Sequence, residues 1–521
     1  MNSKIILCKE IKIDREYVNV LSYTEEQMLN LCNSNDIKIN EASNYTFIDR
    51  NRKIRVAFPY SQCVQANYIA FQNPDYSNKW FFAFIDNVEF KGNMNTEISF
   101  TIDAWSTWFD YWQKKTCFIN RQHTNNDTIG ANTVPENIDV GEVKEESHTI
   151  YTDLAQNYYY MVMASYNPAT KQDFAGAGKI NGNIFGSFVF AFESGNVGVV
   201  SLRHFLQATN QDGKIEGVES VFIAPKVLID NIGKRSQEST YEGATYSFYI
   251  IESNSDSSNN SIELPFTVDR ITSFNDFKPK NNKCFVYPYN YILVSNNIGN
   301  QNIYKYEDFY NSDAIGFAIQ MALSIGVSCR LVPRGYKNID YNYDESLPLA
   351  KYPTGSWSTD AFTNWLTANA VNIGTEIIGT GVGVATGNIA TVSGNISNLI
   401  GQFYSASLLP NIKGGQNTGD VNFSSKSNTF NIYNMRAKTE YMKIIDDYFT
   451  RFGYAAKRLE TPNIIGRKNW NYIEIGSSES IGFGSVPTSY METINKACRR
   501  GVTIWHNHAN LGNYSLDNSI V

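Results

Sequence analysis

Between Glu97 and Ala104 the chain alternates strictly: Ile98, Phe100, Ile102 and Ala104 interleave with Glu97, Ser99, Thr101 and Asp103. A repeat of two sends successive side chains to opposite faces, so the stretch can bury its apolar residues only as a strand with one face on a core. WFFAFIDNVEF precedes it, and Lys91-Gly92-Asn93 between them supplies turn chemistry. The expectation is a hairpin, WFFAFIDNVEF–KGNMN–TEISFTIDAWSTWF, with one face open to water or a partner. KIILCKEIKI near the start and IRVAFPY (Ile54–Tyr60) read as further strands, and TEEQMLNLCNS (Thr24–Ser34) as a short helix. Aromatic residues make up 14% of the chain, chiefly Tyr and Phe, which suit pleated, half-buried surfaces. The fold class expected is mainly β with a few α-helices.

Phe118 to Tyr343 is a mixed tract. SFVFAFES and NYILVS read as strands, and SNSDSSNNS (Ser253–Ser261) and NNIGNQN (Asn296–Asn302) as exposed loops. DAIGFAIQMALSIG (Asp313–Gly326), with Asp at its start and Gly at its end, is expected to be a buried helix. Residues 350–428 are rich in Gly, Ser, Thr, Asn and small aliphatics. Beyond them RAKTEYMKIIDDYFTRFGYAAKRLE is expected to be one amphipathic helix with Met442, Ile445, Phe449, Phe452, Ala456 and Leu459 as its apolar stripe. VPTSYMETINKACRRG reads as a second helix, with Pro487 early and Gly501 after it, and GVTIWHNH as a strand.

A length of 521 residues implies more than one compact unit. A 42% apolar content with 18% charged residues argues against global disorder. The formal net charge of −7, with no Lys/Arg cluster, speaks against a grip on nucleic acid. Cys8, Cys32, Cys63, Cys117, Cys284, Cys329 and Cys498 form no CxxC pair and read as free, mostly buried thiols of a reducing compartment. MNSKIILCKEIKID is not a signal-peptide pattern, and no stretch reaches about 18 consecutive apolar residues, so no constitutive membrane span is expected.

Chemistry-bearing motifs are sparse. His506 and His508 of WHNH would share one face of a strand, yet zinc needs three or four ligands and none complete the set. Cys498 lacks a nucleophile's surroundings and reads as a core thiol. GTGVG (Gly379–Gly383) fails the dinucleotide pattern at Val384 and lacks the Gly-Lys-Ser/Thr of a phosphate loop. Asp446-Asp447, as helix neighbours, do not face each other and read as a solvated face or as partners in helix-surface salt bridges, and no opposed carboxylate pair of a glycosidase is visible. No catalytic residue, metal site or cofactor is expected.

The segment from Ile377 to Ile412 carries no charge. In it Ile378, Val382, Ala385, Ile389, Val392, Ile396, Leu399 and Phe403 follow 4,3 spacing, the pattern of helices packing in a bundle. Gly379, Gly383 and Gly387 form a small-xxx-small ladder that lets backbones approach in lipid, and Gly387, Gly394 and Gly401 recur every seven residues. Each Gly costs about 1 kcal/mol relative to Ala in a helix, so an isolated helix in water is disfavoured. One reading is a loop with buried contacts. The other is a conditional segment, sheltered first and membrane-inserted later, consistent with the cost of about 2.5–3.5 kcal/mol for a charge at the bilayer centre. The membrane-active set comprises Ile377, Ile378, Gly379, Val382, Gly383, Ala385, Gly387, Ile389, Val392, Gly394, Ile396, Leu399, Ile400, Gly401, Phe403, Leu408 and Leu409.

Three ordered blocks carry a family resemblance: FQNPDYSNKWFFAFIDNVEFKGNMNTEISFTIDAWSTWF, FINRQHTNNDTIGANTVPENIDVGE (Phe118–Glu142), and IDDYFTRFGYAAKRLETPN with GVTIWHN and LGNYSLDN. They resemble the distal tail knob proteins of small short-tailed phages of the Picovirinae type, which infect Gram-positive bacteria. The resemblance implies a β-rich, tube-forming subunit of a hexamer at the tail tip. It would lie against a proximal tail or collar protein, be made in the host cytoplasm, and pass double-stranded DNA without sequence-specific binding. It implies a tube body from residues 1–120, a middle knob region 121–349, a long hydrophobic loop 350–428, and a return to the tube body at 429–521. The loop would plug the tube and then enter the host membrane. A cell-wall hydrolase and a pore-forming toxin are the alternatives.

Overall fold

The computed structural model describes residues 3–336, apart from short stretches such as 49–51, 73–77, 151–157, 253–261 and 296–300, together with 355–357 and 431–521. The class is mainly β with a few helices. The chain divides into two compact units that interleave in sequence. One holds Met1–Glu142, Asn275–Phe285 and Lys438–Val521; the other holds Val143–Phe274 and Val286–Ala437.

The first unit is built on a seven-stranded antiparallel sheet. Its spatial order is Lys38–Ala42, Lys4–Cys8, Tyr68–Gln72, Trp80–Gly92, Asn95–Ile102, Lys53–Val56 and Thr46–Ile48. The alternation read from the sequence sorts the central strands between two cores. Ile6, Cys8, Tyr68, Ala70, Phe82 and Phe84 belong to one cluster, and Ile5, Leu7, Ile69, Phe71, Ala83, Ile98 and Phe100 to the other. A strand covered on both faces carries a continuous apolar run, which is why WFFAF does not alternate. A second sheet runs Asn19–Leu21, Val502–Trp505, Trp470–Ile475, Cys117–Gln122 and Tyr454–Glu460, with its first pair parallel. Ile119, Trp470, Ile473, Val502 and Trp505 of that sheet share a core with the first, joined by Trp105 and by Ile494, Ala497 and Cys498 of the helix Thr488–Arg500.

The hairpin differs from its expected form at both ends. Its turn residues are Asn93 and Met94, with Gly92 already paired to Asn95. Its second arm stops at Ile102, because Asp103 accepts the Ser106 N–H at 3.1 Å and starts the helix Ala104–Trp108. Ala104 and the AWSTW stretch are therefore helical. The short helix Glu25–Cys32 follows the sequence reading, closed by a capping box of Thr24 and Gln27.

The second unit has a five-stranded antiparallel sheet ordered Val218–Pro225, Tyr158–Ala164, Phe188–Glu193, Ala244–Ile251 and Lys234–Tyr241. Phe205 of the helix Asn196–Gln211 packs among Phe190, Phe192 and Phe248 of that sheet. Two four-stranded sheets and two short two-stranded ladders also belong to this unit.

The expected helix at Asp313–Gly326 is a strand, Ala314–Ser324, lying between Ile262–Asp269 and Gly326–Arg334. An unbroken apolar run does not distinguish a buried helix from a central strand. Here Ile315, Phe317 and Ile319 are fully buried at every second position, and Phe317 stacks on Phe266 across the ladder at 5.3 Å.

The expected C-terminal helix of RAKTEYMKIIDDYFTRFGYAAKRLE is also corrected. A strand, Asn431–Ala437, occupies its start; the helix is Thr439–Phe452, and a strand, Tyr454–Glu460, follows. Met442, Ile445 and Phe449 are buried on the helix, whereas Ala456 and Leu459 lie on the strand, with Leu459 exposed. Gly453 makes the break. Its φ of +65° is left-handed, and a Cβ there would sit 2.3 Å from the Gln122 carbonyl oxygen. Gly453→Ala should therefore destabilise the first unit by at least about 3 kcal/mol, combining backbone strain with a backbone clash. Gly512→Ala (φ +84°, open space) should cost only about 1 kcal/mol. Urea unfolding followed by tryptophan fluorescence measures both; equal losses would contradict the packing account.

Candidate functional site

The membrane-active positions expected from the sequence, Ile377 through Leu409, all lie outside the described residues, as do Gly379–Gly383 of GTGVG. The strands that flank this segment are described, and both belong to the second unit. Upstream, Gly326–Arg334 pairs with Ala314–Ser324 and with the short Gly355–Trp357. Downstream, Asn431–Ala437 is an inner strand between Val143–Ile150 and Asn290–Ser295.

The downstream root is firmly held. Arg436 is fully buried, its Nε donates to Glu146 at 2.7 Å, and its guanidinium lies 4.5 Å from the Phe274 ring centroid. The Tyr306 hydroxyl is 2.7 Å from Asn434 Oδ1, and Asn434 Nδ2 donates to Ser147 at 3.0 Å. His148 stacks on Tyr433 at 4.2 Å and meets Asn431 Oδ1 through Nε2 at 3.2 Å. Removing one partner of a buried ion pair costs about 3–5 kcal/mol, so Arg436 holds this strand firmly in the second unit.

In the first unit the structure corrects the reading of Asp446-Asp447. Asp447 is exposed and pairs with Arg451 at 3.0 Å, but Asp446 is buried at 4% exposure. Its carboxylate accepts the Lys280 N–H at 3.0 Å, the Asn281 N–H at 3.0 Å and Asn281 Nδ2 at 2.9 Å. The segment Asn275–Phe285 is thereby tied to the helix Thr439–Phe452. A signal was available: Asp446 lies four residues after Met442 and three before Phe449, inside the apolar stripe. Nearby, Glu136 accepts from Arg121, Lys283 and the Ala455 N–H, and Asp127 accepts from the Tyr454 hydroxyl and the Asn282 N–H.

His123 sits behind this network with both ring nitrogens used. Nδ1 accepts the Tyr472 N–H at 2.7 Å, and Nε2 donates to the Thr450 carbonyl at 3.1 Å. Burial, then the Arg467 charge, pull its pKa from 6.5 down to about 3. The expected pairing of His506 with His508 on one strand face is not found, because the strand ends at Trp505. His506 contacts Ser22 Oγ at 2.9 Å and Asn471 Oδ1 at 3.1 Å, while His508 lies in a short 3₁₀ turn and accepts the Lys12 N–H at 3.2 Å. Cys498 is fully buried, and burial pushes its thiol well above the usual range, against any nucleophilic role. Among the described residues six cysteines are free and buried, and no cluster of three or more metal-ligating side chains occurs. No described helix is long and apolar enough to cross a membrane.

Two outcomes follow. Asp446→Ala should loosen Asn275–Phe285, raising hydrogen exchange there and costing about 3 kcal/mol, whereas Asp447→Ala should change neither. An unfolded chain binds a proton at residue 123 from about pH 6.5 downward, and the folded chain only near pH 3. Stability should therefore fall as pH drops through that window, and His123→Gln should flatten the fall in pH-dependent unfolding curves.

Comparison with known proteins matches this architecture at both ends. Residues 252–519, just over half of the 521-residue chain, match the family described as Bacillus phage phi29 tail knob protein gp9, C-terminal domain. Residues 1–114 match the caudoviral major tail protein N-terminus. The tail knob protein gp9 of Bacillus phage phi29 is 23% identical over 613 residues, covering 99% of this chain and 98% of that protein. The gp9 of Bacillus phage PZA is 24% identical over the same coverage. The solved tail knob protein gp12 of bacteriophage C1 superposes with a TM-score of 0.59 over the whole of both chains at 14% identity, a likeness of fold. The chain belongs to the phi29 gp9 family of tail knob proteins, and so to the phage tail.

Proposed function

We propose that this tail knob protein forms the distal conduit through which the genome leaves the particle. In this reading six copies close into a tube against a proximal tail or collar protein. Residues 1–120 and 429–521 form its body, 121–349 the knob, and 350–428 a loop that plugs the bore and later enters the host membrane. The observation that carries the proposal is the segment Ile377–Ile412, free of charge and regularly apolar, in a chain otherwise acidic and globular. Such a run has no favourable home in water, and with Gly at every seventh position it does not settle into a stable isolated helix. At about 1.5 Å per residue, its roughly 36 residues are long enough for a helical hairpin. The buried Arg436 and the inner position of Asn431–Ala437 support a fixed mount behind a segment that changes state. The protein acts physically rather than as an enzyme. A net charge of −7 per chain, multiplied round a ring, favours DNA sliding over DNA sticking.

Purified protein should release dye from liposomes once the segment is freed, for example by acidification. A charge at the bilayer centre costs about 2.5–3.5 kcal/mol, so Ile389→Asp should cut release sharply while ring assembly, seen by electron microscopy, is retained. Equal leakage from a variant lacking residues 377–412 would exclude the segment as the active element. A cleared zone in cell-wall zymography would point to a hydrolase instead.

A further inference from the structure

A cavity of 290 Å³ lies within the first unit, between Lys278–Asn281, Thr450, Arg467 and Asp517–Ser519. This is the lower end of the size range for small-ligand sites. Its neutral polar walls are already satisfied. His123 uses both ring nitrogens, as above. Asn518 Oδ1 accepts the Asn469 and Trp470 N–H groups, and its Nδ2 donates to the Trp470 carbonyl. Asn281 Nδ2 donates to Asp446 and Thr450. The carboxylate on the lining, Asp517, is engaged by Lys468 at 2.8 Å and by the Ser519 N–H at 3.1 Å.

The unused hydrogen-bonding capacity is cationic. Arg467 is 6% exposed, donates to the carbonyls of Thr124 and Asn518 at 2.9 and 3.4 Å, and has an Nε–H with no partner. Among the described residues no carboxylate forms a salt bridge with it, and Asp127 acts on it only as a more distant charge. Lys278 and Lys280 are exposed, and their ammonium groups make no ion pair among the described residues. The acids behind the wall are occupied: Asp446 by Lys280 N–H and Asn281, Asp127 by Tyr454 and Asn282. A buried guanidinium bonded only to carbonyls is incompletely compensated, and an anion beside it would relieve that cost.

We propose that this cavity binds a single phosphate group, either free or at the end of a small phosphate-bearing molecule such as glycerol phosphate. Two lysines and an arginine on one lining supply the charge-assisted donors that a phosphate's acceptor oxygens take up. A duplex would require a row of cations following its backbone, and this chain of net charge −7 offers one cavity instead. The proposal is independent of the loop reading, and either can fail alone.

Calorimetric titration of the full-length protein at fixed ionic strength tests it, using inorganic phosphate, glycerol 3-phosphate, and a short DNA duplex as probes. Saturable binding of one phosphate per chain is expected, weakened at least about tenfold in Lys278→Gln/Lys280→Gln, the loss of one or two charge-assisted bonds. It should be retained in Lys278→Arg/Lys280→Arg. Asp517→Asn, which removes the acid from the lining, should tighten binding, a gain that misfolding cannot produce. Equal affinity for the two small probes identifies the free anion as sufficient; tighter glycerol 3-phosphate identifies the esterified group. No saturable phosphate binding, binding unchanged in the Gln variant, or binding of the duplex alone would overturn the proposal.

Discussion

The carboxylate of Asp446 is the contact on which the chain's unusual threading depends. The first compact unit is assembled from three separated stretches, and the shortest, Asn275–Phe285, is too small to hold itself in place. It is an entry and an exit between two tracts of the other unit, with only one short 3₁₀ turn of its own. Two backbone N–H groups and one amide donated to a buried carboxylate give it a fixed position. Charge-assisted bonds are roughly twice as strong as neutral ones, and burial makes leaving any of them unmade costly. Lys283 with Glu136, and Asn282 with Asp127, extend the same attachment along the segment.

Around that tether the two units follow the same rule by different means. In the first, a seven-stranded sheet separates two cores, so its middle strands are apolar on both faces, whereas the end of Asn95–Ile102 and Lys53–Val56 alternate. In the second, an aromatic cluster of Phe190, Phe192, Phe205 and Phe248 joins a helix to a five-stranded sheet. The strand Asn431–Ala437 is inner rather than edge, and it carries a fully buried arginine. Pairing on both sides and a buried ion pair place it among the elements that open last.

Much of this was legible from residues alone. Period-two alternation marks the hairpin arm, TEEQMLNLCNS reads as the short helix that forms at Glu25–Cys32, and the Pro487–Gly501 pair bounds the helix Thr488–Arg500. The errors share one cause. At Ala314–Ser324 an apolar run fits a buried helix and a central strand equally, and only the neighbouring strands on both sides decide. At Gly453 the apolar period continues through the glycine, because strand residues Ala456 and Leu459 extend the helical spacing. Asp446 reads as a surface acid by residue type, although its place in the stripe marks it as buried. The expected loop residues rest on the sequence alone.

By itself, then, the sequence determined the class, the positions of several elements and the one long charge-free segment, because periodicity, turn residues and charge are local properties. The tertiary structure decided which apolar runs became strands, how three distant stretches form one unit, and which acids and cations face each other inside it. Those outcomes depend on partners hundreds of residues away, such as Asp446 with Asn281 or His123 with Tyr472, and no local pattern carries that information.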